Sequence, residues 1–185
     1  SKDSYSKILE QFENTSPSFL VGTQMIAKGH DFPLVTLVGI VDADIGLYQN
    51  DFRANERCFQ LITQVAGRAG RGDYEGEVVL QTFKPNYYVY RYANNYDYEG
   101  YYTREIAIRH TTNFPPFCNI VRILFSSEDN DACRELTSAV YKKVLDVKET
   151  YFGDFIFCKA VACPVKRIKT KWRYQVIMRI KNDNF

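Results

Sequence analysis

Apolar residues in the first half of the chain occur as short continuous runs separated by polar loops. Residues 19–21 form a brief apolar run bounded by Gly22, which predicts a buried strand. Residues 35–41 are continuously apolar and β-branched, as in a strand that is buried on both faces. Residues 76–83 are predicted to return as another strand, which ends before Pro85. A short helix is predicted at residues 7–12. With a helix at 52–71 before the last of these strands, the order strand, loop, strand, helix, strand predicts a parallel α/β layer.

The strongest helical pattern covers residues 52–71. Its apolar positions recur at i, i+3 and i+4, which predicts a buried stripe consisting of Ala54, Cys58, Leu61, Ile62, Val65 and Ala69. At 100° per residue, five polar positions fall on a separate arc of about 80°. They are Arg57, Gln60, Gln64, Arg68 and Arg71. These side chains point away from the core if the helix persists past Gly67 and Gly70.

The second half of the chain has a different order of elements. Residues 87–92 and 98–110 are tyrosine-rich and helical, and packing between domains is favoured over base stacking for these tyrosines. The run Phe114-Pro115-Pro116-Phe117 breaks the helix. The elements predicted after it are a strand at 120–125, a helix at 131–148 and strands at 155–161 and 174–180. We therefore expect a partial lobe over 1–85, a helical connector over 86–112 and a small α+β domain over 113–185, truncated at its end.

Composition narrows the class of protein. The chain has 185 residues, of which 45% are hydrophobic and 25% charged, so it can bury a core. The net charge is only +2, but from Tyr151 onward eight Lys or Arg residues face two Asp residues. The five cysteines form no CxxC pair, which argues against a zinc or redox motif and favours a cytoplasmic protein. The sequence contains no run of about 18 apolar residues, so no membrane-spanning helix is predicted.

The polar stretch at the end of the long helix reads QVAGRAGR, from Gln64 to Arg71. Each arginine follows a glycine, and a guanidinium offers a rigid fork of donors that fits phosphate oxygens. A phosphate clamp is one interpretation, and a solvated helix end facing the C-terminal dipole is the other. Upstream, the loop GTQMIAKGHDFP places a hydroxyl, an amide, a cation and a carboxylate after the first predicted strand.

Two other polar groups allow a functional and a structural interpretation. Asp42 and Asp44 follow the second strand, and loop acids near a helix start are favoured over a metal or acid–base pair. The segment 164–173 carries five cations and Trp172. Such a segment suits phosphates or stacking on nucleic acid, but a solvated hairpin with protective edge lysines explains it equally well.

The two glycine-containing motifs, taken in order, resemble motifs V and VI of superfamily 2 helicases. The longer runs GTQMIAKGHDFPLVTLVGIVDAD and DFRANERCFQLITQVAGRAGRGDYEGEVVLQTF resemble the PriA (primosomal protein N′) family of replication-restart helicases. Glu105, Arg109 and the FPPF run are similar to that family's junction into its C-terminal domain. The resemblance implies an α/β fold: a partial RecA-like second helicase lobe, followed by a small α+β domain.

The resemblance also implies an activity, namely ATP-dependent 3′→5′ DNA unwinding at stalled forks and loading of the replication machinery. By position, Arg68 and Arg71 match the arginine fingers of motif VI, and Gln64 matches its nucleotide-sensing position. Gly29 and Asp31 match the motif V positions that face the nucleotide. Thr23 matches a contact to the DNA backbone.

The family's C-terminal domain is implicated in binding branched DNA and the acidic tail of single-stranded DNA-binding protein, beside other primosome proteins. Candidate DNA contacts are Lys171, Trp172 and Arg173, and candidate partner contacts are Lys171 and Gln175. ATP, Mg²⁺ and zinc are the cofactors of the parent family. No membrane association is implied.

Several family features are missing from this sequence. It has no Walker A loop, no DExx-like acidic motif and no zinc-binding cysteine set. We therefore expect that the chain alone neither hydrolyses ATP nor unwinds DNA. Two alternatives stay open: a nucleic-acid or protein-docking module without catalytic arginines, or another superfamily 2 translocase such as a RecG-like enzyme. The latter accounts poorly for the FPPF run and the C-terminal domain.

Overall fold

The computed structural model describes residues 2–23, 32–67, 69, 75–150 and 152–182. The chain forms two compact units, residues 1–101 and 102–185. The division between them falls inside a helix, Tyr98–Thr111. The three-part division with limits at residues 85 and 112 stays a prediction.

The first unit opens with helix α1, Lys2–Glu13, which begins earlier than the predicted helix at 7–12. After it, residues 18–23 have no regular secondary structure, so the strand predicted at 19–21 is wrong. The side chains of Phe19 and Val21 are 91% and 93% exposed. An apolar run becomes a strand only where a neighbouring strand satisfies its backbone groups. Among the described residues, this run has no strand beside it.

The sheet of the first unit consists of β1, Leu37–Ile40, and β2, Glu77–Leu80. They pair in parallel, from Leu37 opposite Glu77 to Ile40 opposite Leu80, which confirms the predicted parallel arrangement of these two strands. Burial on both faces is not confirmed, because every second residue of each strand is exposed. In the described residues, the core covers only the face that carries Ile40 and Leu80.

Helix α2, Ala54–Ala66, supplies most of this core. Its buried residues are Ala54, Cys58, Phe59 and Ile62, so Phe59 was missed by the predicted stripe. Leu61 and Val65 are only half-buried. The helix ends at Ala66, and the N–H of its C-cap residue Gly67 donates to the Thr63 carbonyl at 3.1 Å. Arg57, Gln60 and Gln64 are exposed, as the helical geometry predicts.

The tyrosine-rich helices are α3, Tyr88–Asn94, and α4, Tyr98–Thr111. Tyr90 and Tyr101 are buried, and the Tyr101 ring stacks on Phe59 with 4.3 Å between the ring centroids. These two tyrosines therefore pack within the core of the first unit, against α2. The predicted packing between domains is therefore wrong for these two tyrosines, because their partners lie in their own unit.

The second unit is a three-stranded antiparallel sheet with a helix on one face. Its elements are β3 (Cys118–Ser127), α5 (Asn130–Thr150), β4 (Phe155–Ile168) and β5 (Lys171–Lys181). Their order along the chain confirms the predicted β-α-β-β layout. Within the sheet, the strand order is β3-β5-β4. Helix α5 covers the sheet face of Val176 and Met178, where Cys133 and Thr137 are also buried.

The basic segment 164–173 is part of this sheet, although the predicted strands leave it as a connection. β4 continues to Ile168, Lys169 and Thr170 form the turn, and β5 begins at Lys171. Lys169 has a φ of 54°, in the left-handed region that tight turns need. The register shifts between Ala162 and Arg167, so that the segment between them bulges from the ladder.

Arg179 of β5 holds the segment that follows α4. Its Nη1 donates to the carbonyl oxygens of Thr112 at 3.0 Å and of Asn113 at 3.2 Å. Its guanidinium carbon lies 4.4 Å from the Phe114 ring centroid and 5.2 Å from that of Phe157. The planar cation therefore satisfies two carbonyls at a helix end while it contacts two aromatic rings.

Replacing Arg179 by Lys is expected to lower the free energy of unfolding by about 2 kcal/mol, since an ammonium does not reproduce the donor fork between two rings. Urea unfolding followed by circular dichroism measures the change. Lys181→Gln is the matched control, because Lys181 lies on the same strand and is exposed. An unchanged midpoint in Arg179→Lys would show that the contact does not stabilise the fold.

Candidate functional site

The C-terminal ends of β1 and β2 meet at one edge of the parallel sheet. The Asp42 N–H donates to Gln81 Oε1 at 2.6 Å, and the Ala43 N–H donates to the Gln81 carbonyl at 3.0 Å. Asp42 has a φ of 49°, a left-handed conformation that aspartate tolerates better than most residues. This edge is where open α/β sheets place their ligands.

Asp44 is the buried polar centre of this edge. It is 1% exposed, and its Oδ1 accepts from the hydroxyls of Tyr90 at 2.7 Å and Thr82 at 2.8 Å. Its Oδ2 accepts from the Phe83 N–H at 2.7 Å. The Tyr90 hydrogen bond holds the pKa of Asp44 below its usual value, and burial opposes the shift. Asp44 therefore joins the ends of both strands to α3 as a structural acceptor.

Cys58 lies beside this carboxylate and is a packing residue. Its Sγ donates to the Ala43 carbonyl at 3.8 Å. Burial raises the pKa of the Cys58 thiol to about 11, and the charge of Asp44 adds to the shift. A thiol that stays protonated at neutral pH is a poor nucleophile, so Cys58 is not a reactive cysteine.

An ion-pair cluster fixes the start of α2. Asp51 Oδ2 lies 2.9 Å from Arg57 Nη2, and Asp51 Oδ1 accepts from the Arg53 N–H at 3.0 Å. Burial alone would raise the pKa of Asp51, but its contacts with Arg53 and Arg57 outweigh burial and lower it. The cluster thus holds Arg57 on the exposed polar face of α2. Gln64 lies on the same face, two turns further along the helix.

The nucleotide-facing residues implied by the resemblance are only partly within the described residues. Gln64 lies in the last turns of α2 and is exposed, and Thr23 is exposed at the end of the irregular segment 18–23. The other four lie outside the described residues: Gly29, Asp31, Arg68 and Arg71. Their roles stay predictions.

The C-terminal candidates divide between the two faces of β5, because side chains alternate along a strand. Lys171, Arg173 and Gln175 point to the face opposite α5, whereas Trp172 points to the α5 side. The guanidinium carbon of Arg167 lies over the ring of Trp172, 5.1 Å from the ring centroid. Sequence reasoning missed Arg167 as a site residue, since the hairpin register that pairs it with Trp172 contains an irregularity.

Gln175 differs from the other C-terminal candidates in its burial. It lies on the central strand between Leu124 and Val161 and is 7% exposed. Its Oε1 is buried and has no hydrogen-bond partner among the residues that the structure describes. Lys171, four residues earlier on the same face, is exposed about 13 Å away. The two candidate partner contacts therefore present different chemistry: an exposed cation and a buried acceptor.

The described residues contain neither a cluster of metal-ligating side chains nor a membrane-spanning helix. In them, no group of three or more His, Cys, Asp or Glu side chains is placed to hold a metal ion. All five cysteines are free thiols. No helix within the described ranges has the length and apolar character needed to cross a bilayer.

Two family models match the chain. The helicase conserved C-terminal domain matches residues 1–73, and the primosomal protein N C-terminal domain matches residues 110–184. The replication restart protein PriA of Bacillus subtilis is 37% identical over 182 residues, 98% of this chain and 22% of the relative. PriA of Chlamydia pneumoniae is 38% identical over 179 residues, 96% of this chain and 23% of the relative. The chain belongs to the PriA family.

The sequence similarity to PriA proteins extends over both units of the chain. PriA of Rickettsia conorii is 33% identical over 185 residues, which is 100% of this chain and 28% of the relative. The chain thus spans about a quarter of the length of these curated PriA relatives. The resemblance drawn from motifs V and VI is confirmed at the level of the family. The match to the helicase conserved C-terminal domain agrees with a mixed α/β first unit.

Proposed function

We propose that this chain is the part of an ATP-dependent 3′→5′ DNA helicase, acting in replication restart and primosome assembly, that brings the motif V and VI residues to the nucleotide. The observation that carries the proposal is the polar face of α2. Its exposed residues Arg57, Gln60 and Gln64 lie on one side of the helix, and Gln64 is the first residue of QVAGRAGR, in a chain of the PriA family.

Each residue of the two motifs has a chemical role in this proposal. Arg68 and Arg71 reach the γ-phosphate and stabilise the charge that develops as it is transferred. Gln64 senses the bound nucleotide through its amide, and Asp31 accepts a hydrogen bond from the ribose beside Gly29. Thr23 donates its hydroxyl to a DNA phosphate. These arginines are useful only when a second lobe presents the nucleotide to them.

The cofactors are those of the longer protein. ATP and Mg²⁺ would be held mainly by a phosphate-binding loop, which this sequence lacks, and Arg68, Arg71 and Gln64 would complete the site. Within the described residues, no group of His, Cys, Asp or Glu side chains is placed to hold zinc. The chain by itself is therefore predicted to be inactive as an ATPase and as a helicase. The direct test is DNA-stimulated ATP turnover after substitution of Arg71.

The second unit is proposed to bind forked or branched DNA and the acidic tail of single-stranded DNA-binding protein. Lys171, Trp172 and Arg173 are the proposed DNA contacts, and Lys171 and Gln175 the proposed partner contacts. The exposed cationic hairpin supports the first assignment. The buried, unpartnered Oε1 of Gln175 among the described residues supports the second, because a peptide N–H could satisfy it.

A docking module without catalysis is the second candidate function, and the basic hairpin favours it. The Lys171→Ala, Arg173→Ala double variant of this chain is expected to lower affinity for forked DNA about 10-fold at 0.1 M salt and to reduce the salt slope by about 2. Fluorescence anisotropy across a salt series measures both. An unchanged slope would contradict the phosphate contacts. Membership of the PriA family removes the support for a RecG-like enzyme.

A further inference from the structure

The two edge strands of the second unit's sheet, β3 and β4, differ in how well they are protected against pairing with another strand. The ladder of β4 has two register irregularities, and the strand contains Pro164. It also carries three cations, Lys159, Lys166 and Arg167. Bulges, prolines and edge lysines are the features with which natural sheets block pairing at an edge. β4 is therefore a protected edge.

β3 lacks these protective features. Its ten residues pair with β5 in one continuous register, from Cys118 opposite Lys181 to Ser127 opposite Trp172. It contains no proline and only one charged residue, Arg122. Among the described residues, no strand lies along its outer edge, and five of its ten residues are exposed. A long, regular and almost uncharged edge strand is a template for pairing with another strand.

One flank of α5 adds apolar surface beside this edge. The other flank lies on the β4 side, where Arg134 lines a groove together with Ala160 of β4. At about 100° per residue, Leu136 and Val147 fall on the flank away from Arg134, which is the β3 side. Their side chains are 56% and 51% exposed, and Val121 on the α5 face of β3 is 39% exposed. The edge and the flank therefore form one apolar surface.

We propose that β3 and this flank of α5 form an interface with a second copy of the chain, in which the two β3 strands pair antiparallel about a two-fold axis. The bulges and cations of β4 oppose a head-to-tail pairing of β3 with β4. Pairing of β3 with its own copy meets no such obstacle, and each copy then contributes the same edge and the same flank. The two three-stranded sheets would join into one sheet of six strands.

The single charge of β3 selects the register of this pairing. An axis at Arg122 would place two guanidinium groups directly opposite each other, which is destabilising. An axis at Ile123 instead pairs Val121 of one copy with Phe125 of the other, and Arg122 of one copy with Leu124 of the other. Residues that lie opposite each other share a face, so the apolar pairs gather beneath the two α5 flanks. This register separates the charges and buries the apolar surface.

Sedimentation velocity of the 185-residue chain from about 1 to about 500 µM tests the interface. The mass should rise from 21.5 kDa toward twice that value, with a Kd of about 10 µM. Val121→Lys places a charge on the edge and Leu136→Lys places one on the flank, so each should weaken the dimer about 10-fold or more. Val165→Lys on β4 is the matched control, because Val165 and Leu136 are each 56% exposed.

A pair of charge variants tests the register. Leu124→Glu puts a carboxylate opposite Arg122 of the other copy and should keep or tighten the dimer, whereas Leu124→Lys should weaken it about 10-fold. Equal weakening by both would overturn the two-fold register.

The variants on β3 and on α5 keep the test valid if one of them fails to fold, which circular dichroism detects. A chain that stays monomeric at the highest concentration would overturn the inference. A dimer that survives both Val121→Lys and Leu136→Lys, or that Val165→Lys weakens to the same degree, would overturn it as well, since the association would then use another surface.

Discussion

Replacing Arg71 by Ala in a full-length protein that contains this chain is expected to lower DNA-stimulated ATP turnover about 1,000-fold. An arginine finger acts on charge that develops only in the transition state, so its loss lowers kcat far more than it changes nucleotide binding. Steady-state ATPase assays with saturating forked DNA measure the effect. Arg68→Ala should behave similarly if both arginines reach the phosphate.

Two further variants make this test specific. Arg71→Lys keeps the charge but loses the donor fork, so only a small part of the turnover should return. Arg104→Ala removes an exposed arginine of α4 and should leave turnover unchanged. If Arg71→Ala retains turnover within about 2-fold of the parent, motif VI does not supply a catalytic arginine here. Forked-DNA binding measured in parallel distinguishes that outcome from a misfolded second unit.

Replacing Asp44 by Ala is expected to cause the largest loss of stability in the first unit. The change leaves the hydroxyls of Tyr90 and Thr82 and the N–H of Phe83 without their acceptor in the interior. Buried donors without an acceptor carry the full cost of their desolvation, so the melting temperature should fall by roughly 10 °C. Asp42→Asn is the control, because it removes a carboxylate two residues away and keeps a side chain that tolerates positive φ.

The same carboxylate predicts how stability depends on pH. Since the folded pKa of Asp44 lies below its unfolded value, the folded state favours the ionised form. The stabilisation is therefore present above the unfolded pKa and is lost as the pH falls through the folded pKa. Thermal melts between pH 7 and pH 3 should show a steeper acid loss for the parent chain than for Asp44→Asn. Parallel curves would show that Asp44 contributes nothing to acid sensitivity.

The pattern of the sequence predicted the elements with strong periodicity. Helix α2 and its exposed polar face follow from the i, i+3, i+4 spacing, and the parallel pairing of β1 and β2 follows from two apolar runs separated by a helix. The β-α-β-β order of the second unit was also predictable. The failed strand prediction has a physical cause. The run at 19–21 was apolar, but strand formation also requires a partner strand, which periodicity does not report.

Contacts between residues far apart in the sequence could not be predicted either, because periodicity reports only local structure. Asp44 binds Thr82, Phe83 and Tyr90, which are 38 to 46 residues away, so no local spacing reveals that its carboxylate is satisfied. The face on which Arg167 meets Trp172 depends on the register of a hairpin with an irregular ladder. A single shift of register would move one of them to the opposite face.

By itself, the sequence determined the family, the motifs of the candidate nucleotide site and the order of the elements, because these depend on residue identity and local periodicity. Only the tertiary structure decided which polar groups serve stability and which face outward. It placed Asp44 and Gln175 in the interior, and it left Arg57 and Gln64 on the exposed face of α2. It also put the hairpin cations on two faces. Burial and register are set by packing between segments that are distant in the sequence. Local sequence patterns therefore do not reveal them.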